Sequence, residues 1–203
     1  MDTGNFDWTN GNFPSLTEPD ESYHGIRYAE SFGRAAYITK ARVQLTRDLG
    51  VYPAAQAAFY VDLGIQTLAV RMQRHAENAQ KVAEFLASHP KINYVNYPGL
   101  ETDRYHELAM KYLPKGQSGV MSLSVKGGRA AAVKFMDGLK LANNVVHVAD
   151  VRTCVLHPAS ETHRQLTSEQ LAAAGIDEAL IRLSVGIENV DDIIDDISAA
   201  LEA

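Results

Sequence analysis

The segment from Leu180 to Glu188, Leu-Ile-Arg-Leu-Ser-Val-Gly-Ile-Glu, constrains the fold more than any other part of this 203-residue chain. Isoleucine, leucine and valine occupy every second position, with Arg182 and Ser184 between them. A period of two with branched apolar residues on one side is typical of a strand that packs one face on a core. Such a strand would hold the Arg182 guanidinium on the opposite face. That planar fork of donors suits a carboxylate or phosphate, although a solvated or salt-bridged strand arginine fits the same pattern.

The composition is that of a globular protein with a sizeable core. Hydrophobic residues make up 46% and charged residues 22% of the sequence, and both values argue against disorder. The net charge of −6 is concentrated at one end, because residues 161–203 contain ten acidic and two basic side chains. An acidic region of this kind argues against nucleic acids and anionic membranes as partners.

Cysteine usage and hydropathy indicate a reducing, aqueous compartment. Cys154 is the only cysteine, so an internal disulfide and a zinc cluster of thiolates are excluded. No run approaches the ~18–20 apolar residues of a membrane span, and the first residues do not have the pattern of a signal peptide. His157 and His163 do not have the helical spacing of a metal-binding pair. We therefore expect a cytoplasmic protein without a metal site.

Helical periodicity predicts two long helices in the first half of the chain. Apolar residues recur at helical spacing over residues 25–49, and Gly50 is a typical C-terminal signal. A second stripe covers residues of about 56–88 and ends before Pro90. Residues 1–24 are rich in glycine, asparagine and proline, so we expect a loop there.

Beyond residue 90, short strands alternate with short helices. Strands are predicted at 91–97, 120–125, 144–148 and 153–156, and helices at 105–112 and 130–139. Two later helices begin with capping signals, Thr167 with Gln170 in one and Asn189 in the other. Alternating strands with intervening helices predict an antiparallel or mixed sheet that helices cover on one face.

Seven motifs in a fixed order resemble one enzyme family. They are Gly4–Trp8, Ala36–Arg42, Gly64–Leu68, Arg71–Asn78, Asn96–Gly99, His157–Ser160 and Arg182–Glu188. Together they resemble the pyridoxal-phosphate enzymes of cysteine and methionine metabolism, most closely the O-acetylhomoserine sulfhydrylase branch. The resemblance implies an α/β protein of the fold type I pyridoxal-phosphate transferases. Residues 1–64 would be the tail of the large cofactor-binding domain and the start of a linking helix, and residues 65–203 the small α+β C-terminal domain with a mostly antiparallel sheet.

The resemblance also implies which residues bind substrate. In the family, the arginine of the Arg-Leu-Ser-Val-Gly motif resembles a clamp on the substrate α-carboxylate, and the matching residue is Arg182. The segment before the His-Pro-Ala-Ser motif lies beside that carboxylate, which implies a role for His147 and Val148. Family members have serine or asparagine at the position of His147, and glycine is common at that of Ala149. The histidine adds bulk and a titratable group, which leaves substrate preference open.

The cofactor is implied by the family and not by any residue of the chain. The family's Schiff-base lysine lies upstream of the segment that matches Gly4–Trp8, so we expect the chain to be the C-terminal half of such an enzyme. On this interpretation it has no catalytic and no cofactor-binding residue of its own. Lys40 follows a threonine, as in the context of that lysine, but falls on a downstream helix and is interpreted as structural.

The implied reaction replaces the acetyloxy group of O-acetylhomoserine with sulfide to give homocysteine. Pyridoxal phosphate would be the cofactor, a small amino acid the substrate and a homo-oligomer the assembly. A pyridoxal-phosphate γ-lyase or a cystathionine γ-synthase-like enzyme is an alternative. A non-catalytic assembly module or a gene remnant is another.

Overall fold

The computed structural model describes residues 4–203, which divide between two compact units, residues 4–63 and residues 64–203. The α-helices are α1 Pro14–Thr17, α2 Tyr28–Phe32, α3 Ala36–Lys40, α4 Arg47–Leu49, α5 Ala55–Gln66, α6 Leu68–Ser88, α7 His106–Tyr112, α8 Gly128–Gly138, α9 Ser168–Ala173 and α10 Val190–Glu202. The strands are β1 Ile92–Asn96, β2 Val120–Val125, β3 Asn143–Asn144, β4 Cys154–Leu156 and β5 Leu180–Ser184. None of the helices described over residues 4–203 is long and apolar enough to cross a bilayer.

The first unit is helical, but the prediction of one helix over residues 25–49 is wrong. Gly33 ends α2 with a φ of +49°, a conformation that glycine adopts at little cost because it has no Cβ. A 3-10 turn precedes α3, which continues through a π-helical segment, Ala41–Thr46, into α4. Gly50 then ends the run with a φ of +64°, as its position predicts.

Aromatic side chains fill the first unit. Tyr28 is completely buried, and Trp8 and Phe13 pack against the cluster around it. The Trp8 ring stacks on that of Tyr37 with centroids 5.7 Å apart. The segment predicted to be a loop is therefore packed, and it contains the short helix α1.

The predicted helix over 56–88 is two helices. Thr67, with φ −106° and ψ 2°, separates α5 from α6. The stripe on α6 buries Val82 and Leu86, and His75 and Asn78 are buried with them. The helix ends at Ser88, and the extended backbone of His89 suits the proline that follows.

The five strands form one mixed sheet with the order β1-β2-β5-β4-β3. The β1–β2, β2–β5 and β5–β4 pairs are antiparallel, and β3–β4 is parallel. This confirms the predicted mixed, mostly antiparallel sheet. Strand β3 is shorter than the segment predicted at 144–148, because the backbone leaves the sheet after Val145, whose N–H donates to the Val155 carbonyl at 3.1 Å.

One face of the sheet carries the core of the second unit. Leu123 of β2 pairs with Ile181 of β5, and both are buried against α6, α8 and α10. Ile193 and Ile197 of α10 belong to the same cluster. The alternation therefore places Arg182 on the other face, which leaves a guanidinium free to serve a site.

Candidate functional site

Arg182 lies in the middle of the sheet. It pairs with Ser122 of β2 on one side and with Leu156 of β4 on the other. Side chains directly opposite each other in antiparallel strands share a face, with Cβ atoms about 4.5–5.5 Å apart. The backbone of a central strand therefore fixes the base of the arginine.

The guanidinium of Arg182 is only partly engaged by the protein. Its Nη2 donates to the carbonyl of Val146 at 2.7 Å and more weakly to that of His147 at 3.4 Å. Its Nε is buried and has no hydrogen-bond partner among the described residues. No acidic side chain of residues 4–203 forms an ion pair with it. A buried charged donor without a partner is costly, and a carboxylate would satisfy it.

The chain segment beside the guanidinium is the loop of residues 145–152, here called the site loop. Ala149 N–H donates to Ser184 Oγ at 3.1 Å, which ties the loop to β5. The His147 side chain is 58% exposed, and its Nδ1 lies 3.4 Å from Asp150 Oδ2. Val148 is 54% exposed. The structure thus brings the Arg182 guanidinium and the His147 carbonyl together. Val148 lies between His147 and Ala149, the two loop residues that these hydrogen bonds anchor.

Asp150 and Arg152 form an ion pair within the loop. Arg152 Nε and Nη2 donate to the two carboxylate oxygens at 3.1 Å and 3.0 Å, a bidentate geometry. These hydrogen bonds hold the pKa of the Asp150 carboxyl well below its usual range. The sequence reasoning missed this pair, although the Asp-x-Arg spacing was a signal for it.

Two other residues considered from the sequence are buried. Cys154 Sγ lies 3.3 Å from the Arg152 carbonyl, and burial raises the pKa of the Cys154 thiol, which disfavours the nucleophilic thiolate. His157 Nε2 donates to the Glu178 carbonyl at 2.8 Å. These contacts support a structural interpretation of both residues.

The fold and the site together define a class, an α+β domain whose mixed sheet presents an arginine on the face away from its core. The same fold occurs in a crystal structure of a putative O-acetylhomoserine (thiol)-lyase from Campylobacter jejuni that contains N'-pyridoxyl-lysine-5'-monophosphate. It matches with a TM-score of 0.85 and 40% identity over 96% of this chain and 46% of the other.

The family follows from the sequence comparisons. The family model described as Cys/Met metabolism PLP-dependent enzyme matches residues 31–202, and the chain belongs to this family. The O-acetyl-L-homoserine sulfhydrylase of Leptospira meyeri is 46% identical over 211 residues, and a homocysteine synthase of Schizosaccharomyces pombe is 44% identical over 204. Both alignments cover 100% of this chain and 48% of the relative. The chain therefore spans about half the length of the curated relatives it matches.

The family uses pyridoxal phosphate, which requires a free lysine amine and a cradle for the phosphate. Lys40 does not fit, because its ammonium donates to Asp20 Oδ2 at 2.6 Å and lies 4.6 Å from the Tyr28 ring centroid. This ion pair contributes to lowering the pKa of Asp20 to about 2. The Lys126–Gly128 turn does not fit either, since Lys126 Nζ donates to the Pro90 carbonyl at 2.7 Å. Neither lysine therefore fits the cofactor.

Proposed function

We propose that Arg182, with His147 and Val148, binds the α-carboxylate of an amino-acid substrate. The observation that carries the proposal is the buried Nε of Arg182, which has no partner among the described residues. Since Nη2 already donates to the site loop, Nε–H and the second amino group remain for a ligand. These donors point to different sides of the guanidinium, and a carboxylate that accepts from either of them forms a charge-assisted hydrogen bond.

We infer the activity of the whole protein from that of its family. We propose that it exchanges the acetyloxy group of O-acetylhomoserine for sulfide and so forms homocysteine, with pyridoxal phosphate as cofactor. The names of the Leptospira and fission-yeast relatives support this assignment. In this reaction the part played by Arg182 is orientation, because a fixed carboxylate fixes the amino acid's α-carbon.

We also make proposals for the domain organisation, the oligomeric state and the cellular location. We assign residues 1–64 to the tail of a large cofactor-binding domain and residues 65–203 to a small domain. The division of the structure into units near residue 63 supports that boundary. We further propose a homo-oligomer in the cytoplasm.

The proposed carboxylate site is tested by the change Arg182→Lys. Lysine has neither the planar guanidinium nor the Nε donor. A charge-assisted hydrogen bond between arginine and a carboxylate contributes roughly 1.5–3 kcal/mol. We therefore expect the Kd for O-acetyl-L-homoserine to rise about tenfold or more. NMR titration of both chains, followed by the Ala149 N–H resonance of the site loop, measures the two Kd values. In the unaltered chain, the Arg182 Nε–H resonance reports carboxylate binding as well.

Two controls sharpen the experiment. Arg164→Lys makes the same change at an exposed position and should leave the Kd unaltered. The methyl ester of the same amino acid, which has no carboxylate, should not shift the Arg182 resonance. Equal affinity of the unaltered chain and Arg182→Lys would reduce Arg182 to a structural strand residue.

A further inference from the structure

A half-buried carboxylate, that of Glu188, fastens the end of the site loop to the segment that follows β5. Glu188 Oε1 accepts from Thr153 N–H at 2.6 Å, and Oε2 accepts from the Thr153 hydroxyl at 3.0 Å. The same hydroxyl oxygen accepts from Gly186 N–H at 2.9 Å. Thr153 is completely buried. Hydrogen bonds to a carboxylate are roughly twice as strong as neutral ones, so the contact between Thr153 and Glu188 is strong.

The backbones of the two segments meet at the same place. Ile187 N–H donates to the Val151 carbonyl at 2.9 Å. A Cβ on Gly186 would lie 2.5 Å from both Thr153 N and the Val151 oxygen, so no other residue fits without displacement of the loop. The close approach therefore depends on glycine as well as on the carboxylate.

Helix α6 holds the segment after β5 from the other side. Asn78 Nδ2 donates to the carbonyls of Gly186 and Glu188 at 3.0 Å and 2.9 Å. His75 Nδ1 donates to the Val185 carbonyl at 2.7 Å. Both side chains are buried. Residues 185–188 are thus fixed to a long helix, and Glu188 transfers that fixed position to the site loop.

The site loop in turn determines where the guanidinium points. The carbonyls that accept from Arg182 Nη2 belong to Val146 and His147, both in the loop. The middle of the loop is held through Ala149 and its far end through Thr153. Displacement of the far end would move those carbonyls and rotate the donors of Arg182 away from a ligand.

We infer that Thr153 and Glu188 are positioning residues for the carboxylate site, acting through the site loop without touching the substrate. This inference rests on the proposed role of Arg182. It predicts that loss of the Thr153 hydroxyl weakens substrate binding at a distance, while the shape of the side chain is unimportant. Thr153→Val preserves that shape and removes the hydroxyl, and Thr153→Ser preserves the hydroxyl.

The test compares these two variants in the NMR titration with O-acetyl-L-homoserine. We expect Thr153→Val to raise the Kd at least fivefold and to shift the Arg182 Nε–H and Ala149 N–H resonances of the free chain. Thr153→Ser should stay within twofold of the unaltered chain and keep both resonances. Glu188→Gln, which removes the charge, should behave like Thr153→Val.

A control separates positioning from general loss of stability. Tyr97→Phe removes another buried hydrogen bond of the same unit, from Tyr97 Oη to the Ser118 carbonyl at 2.9 Å, beyond the opposite edge of the sheet. It should lower the Tm and leave the Kd unchanged. If Thr153→Val also lowers the Tm without changing the Kd, the positioning role is overturned and the Arg182 site stands. If the unaltered chain shows no carboxylate-dependent shift, the Arg182 site itself falls, and the inference with it.

Discussion

Ala149 adopts a backbone conformation that suits glycine better than any residue with a Cβ. Its φ is +58°, in the left-handed region that costs an L-residue roughly 1–2 kcal/mol. The loop retains this conformation because Ala149 N–H donates to Ser184 Oγ. Strain of this kind, next to Arg182 and His147, is typical of a site whose geometry is determined by its surroundings.

We expect Ala149→Gly to stabilise the chain. Glycine removes the strain, although its more flexible unfolded state offsets part of the gain, so the free energy of unfolding should rise by about 0.5–1 kcal/mol. Urea denaturation measures the difference. Ala172→Gly is the matched control, because it makes the same change inside helix α9 and should lower the free energy by a similar amount. Destabilisation by both changes would refute the strain at Ala149.

The residues of the site differ in how far the sequence could predict them. Alternation along β5 was sufficient to place Arg182 on the face opposite the core. The partners Thr153 and Glu188 are 35 positions apart, and no local pattern joins them. Their contact depends on the pairing of β4 with β5, which only the folded chain reveals.

Among the elements, helix α10 shows how a local signal sets a boundary. Asn189 Oδ1 accepts from Asp191 N–H at 3.0 Å, the geometry of an N-cap. Asp191 and Asp192 in the first turn suit the helix dipole. The helix buries five residues in the core of the second unit, beside α6 and α8, so its start controls the position of a large part of that core.

We expect Asn189→Ala to lower the free energy of unfolding by about 1 kcal/mol, because the Asp191 amide loses its acceptor. Asn189→Ser supplies another acceptor and should cost much less. Thermal melts followed by circular dichroism compare the two variants. Identical Tm values for both would mean that the cap contributes nothing beyond what water supplies.

Helices with clear caps and stripes were predicted well, and helices defined by packing were not. The Thr167 capping box and the start of α10 are where the sequence indicates. The break at Gly33 was missed because a single glycine inside a helical pattern is often tolerated, and the π-helical segment Ala41–Thr46 has no signal in periodicity. Its register is set by tertiary contacts such as Lys40 with Asp20, which override local propensity.

At the scale of the whole molecule, helix α5 is conspicuous because none of its residues is buried. Phe59, Tyr60 and Val61 are each about 60% exposed. A helix that is apolar on most sides is normally covered by other protein, and large exposed apolar patches favour association. The surface of α5 is therefore expected to pair with another protein surface.

We expect the 203-residue chain to self-associate through α5, with a mass in light scattering that rises with concentration. Phe59→Glu with Val61→Glu should suppress the rise, because it removes apolar area and adds charge. Ala57→Glu with Ala58→Glu adds the same charge on the same helix and should suppress it less. A chain of residues 64–203 should be monodisperse and melt cooperatively, since it contains one complete compact unit. A monodisperse monomer of the unaltered chain at all concentrations would contradict this expectation.

The order of strands in the sheet has a consequence for how the chain folds. Strand β5 separates the β1–β2 pair from the β4–β3 pair, and it comes after all four in the sequence. The pairing of Ser122 with Arg182 joins residues 60 positions apart, and long-range pairing of this kind is slow. Until β5 is in place, the facing edges of β2 and β4 are open templates for another chain. The interval before the last strand inserts is therefore when newly made chains compete most strongly between folding and pairing with each other.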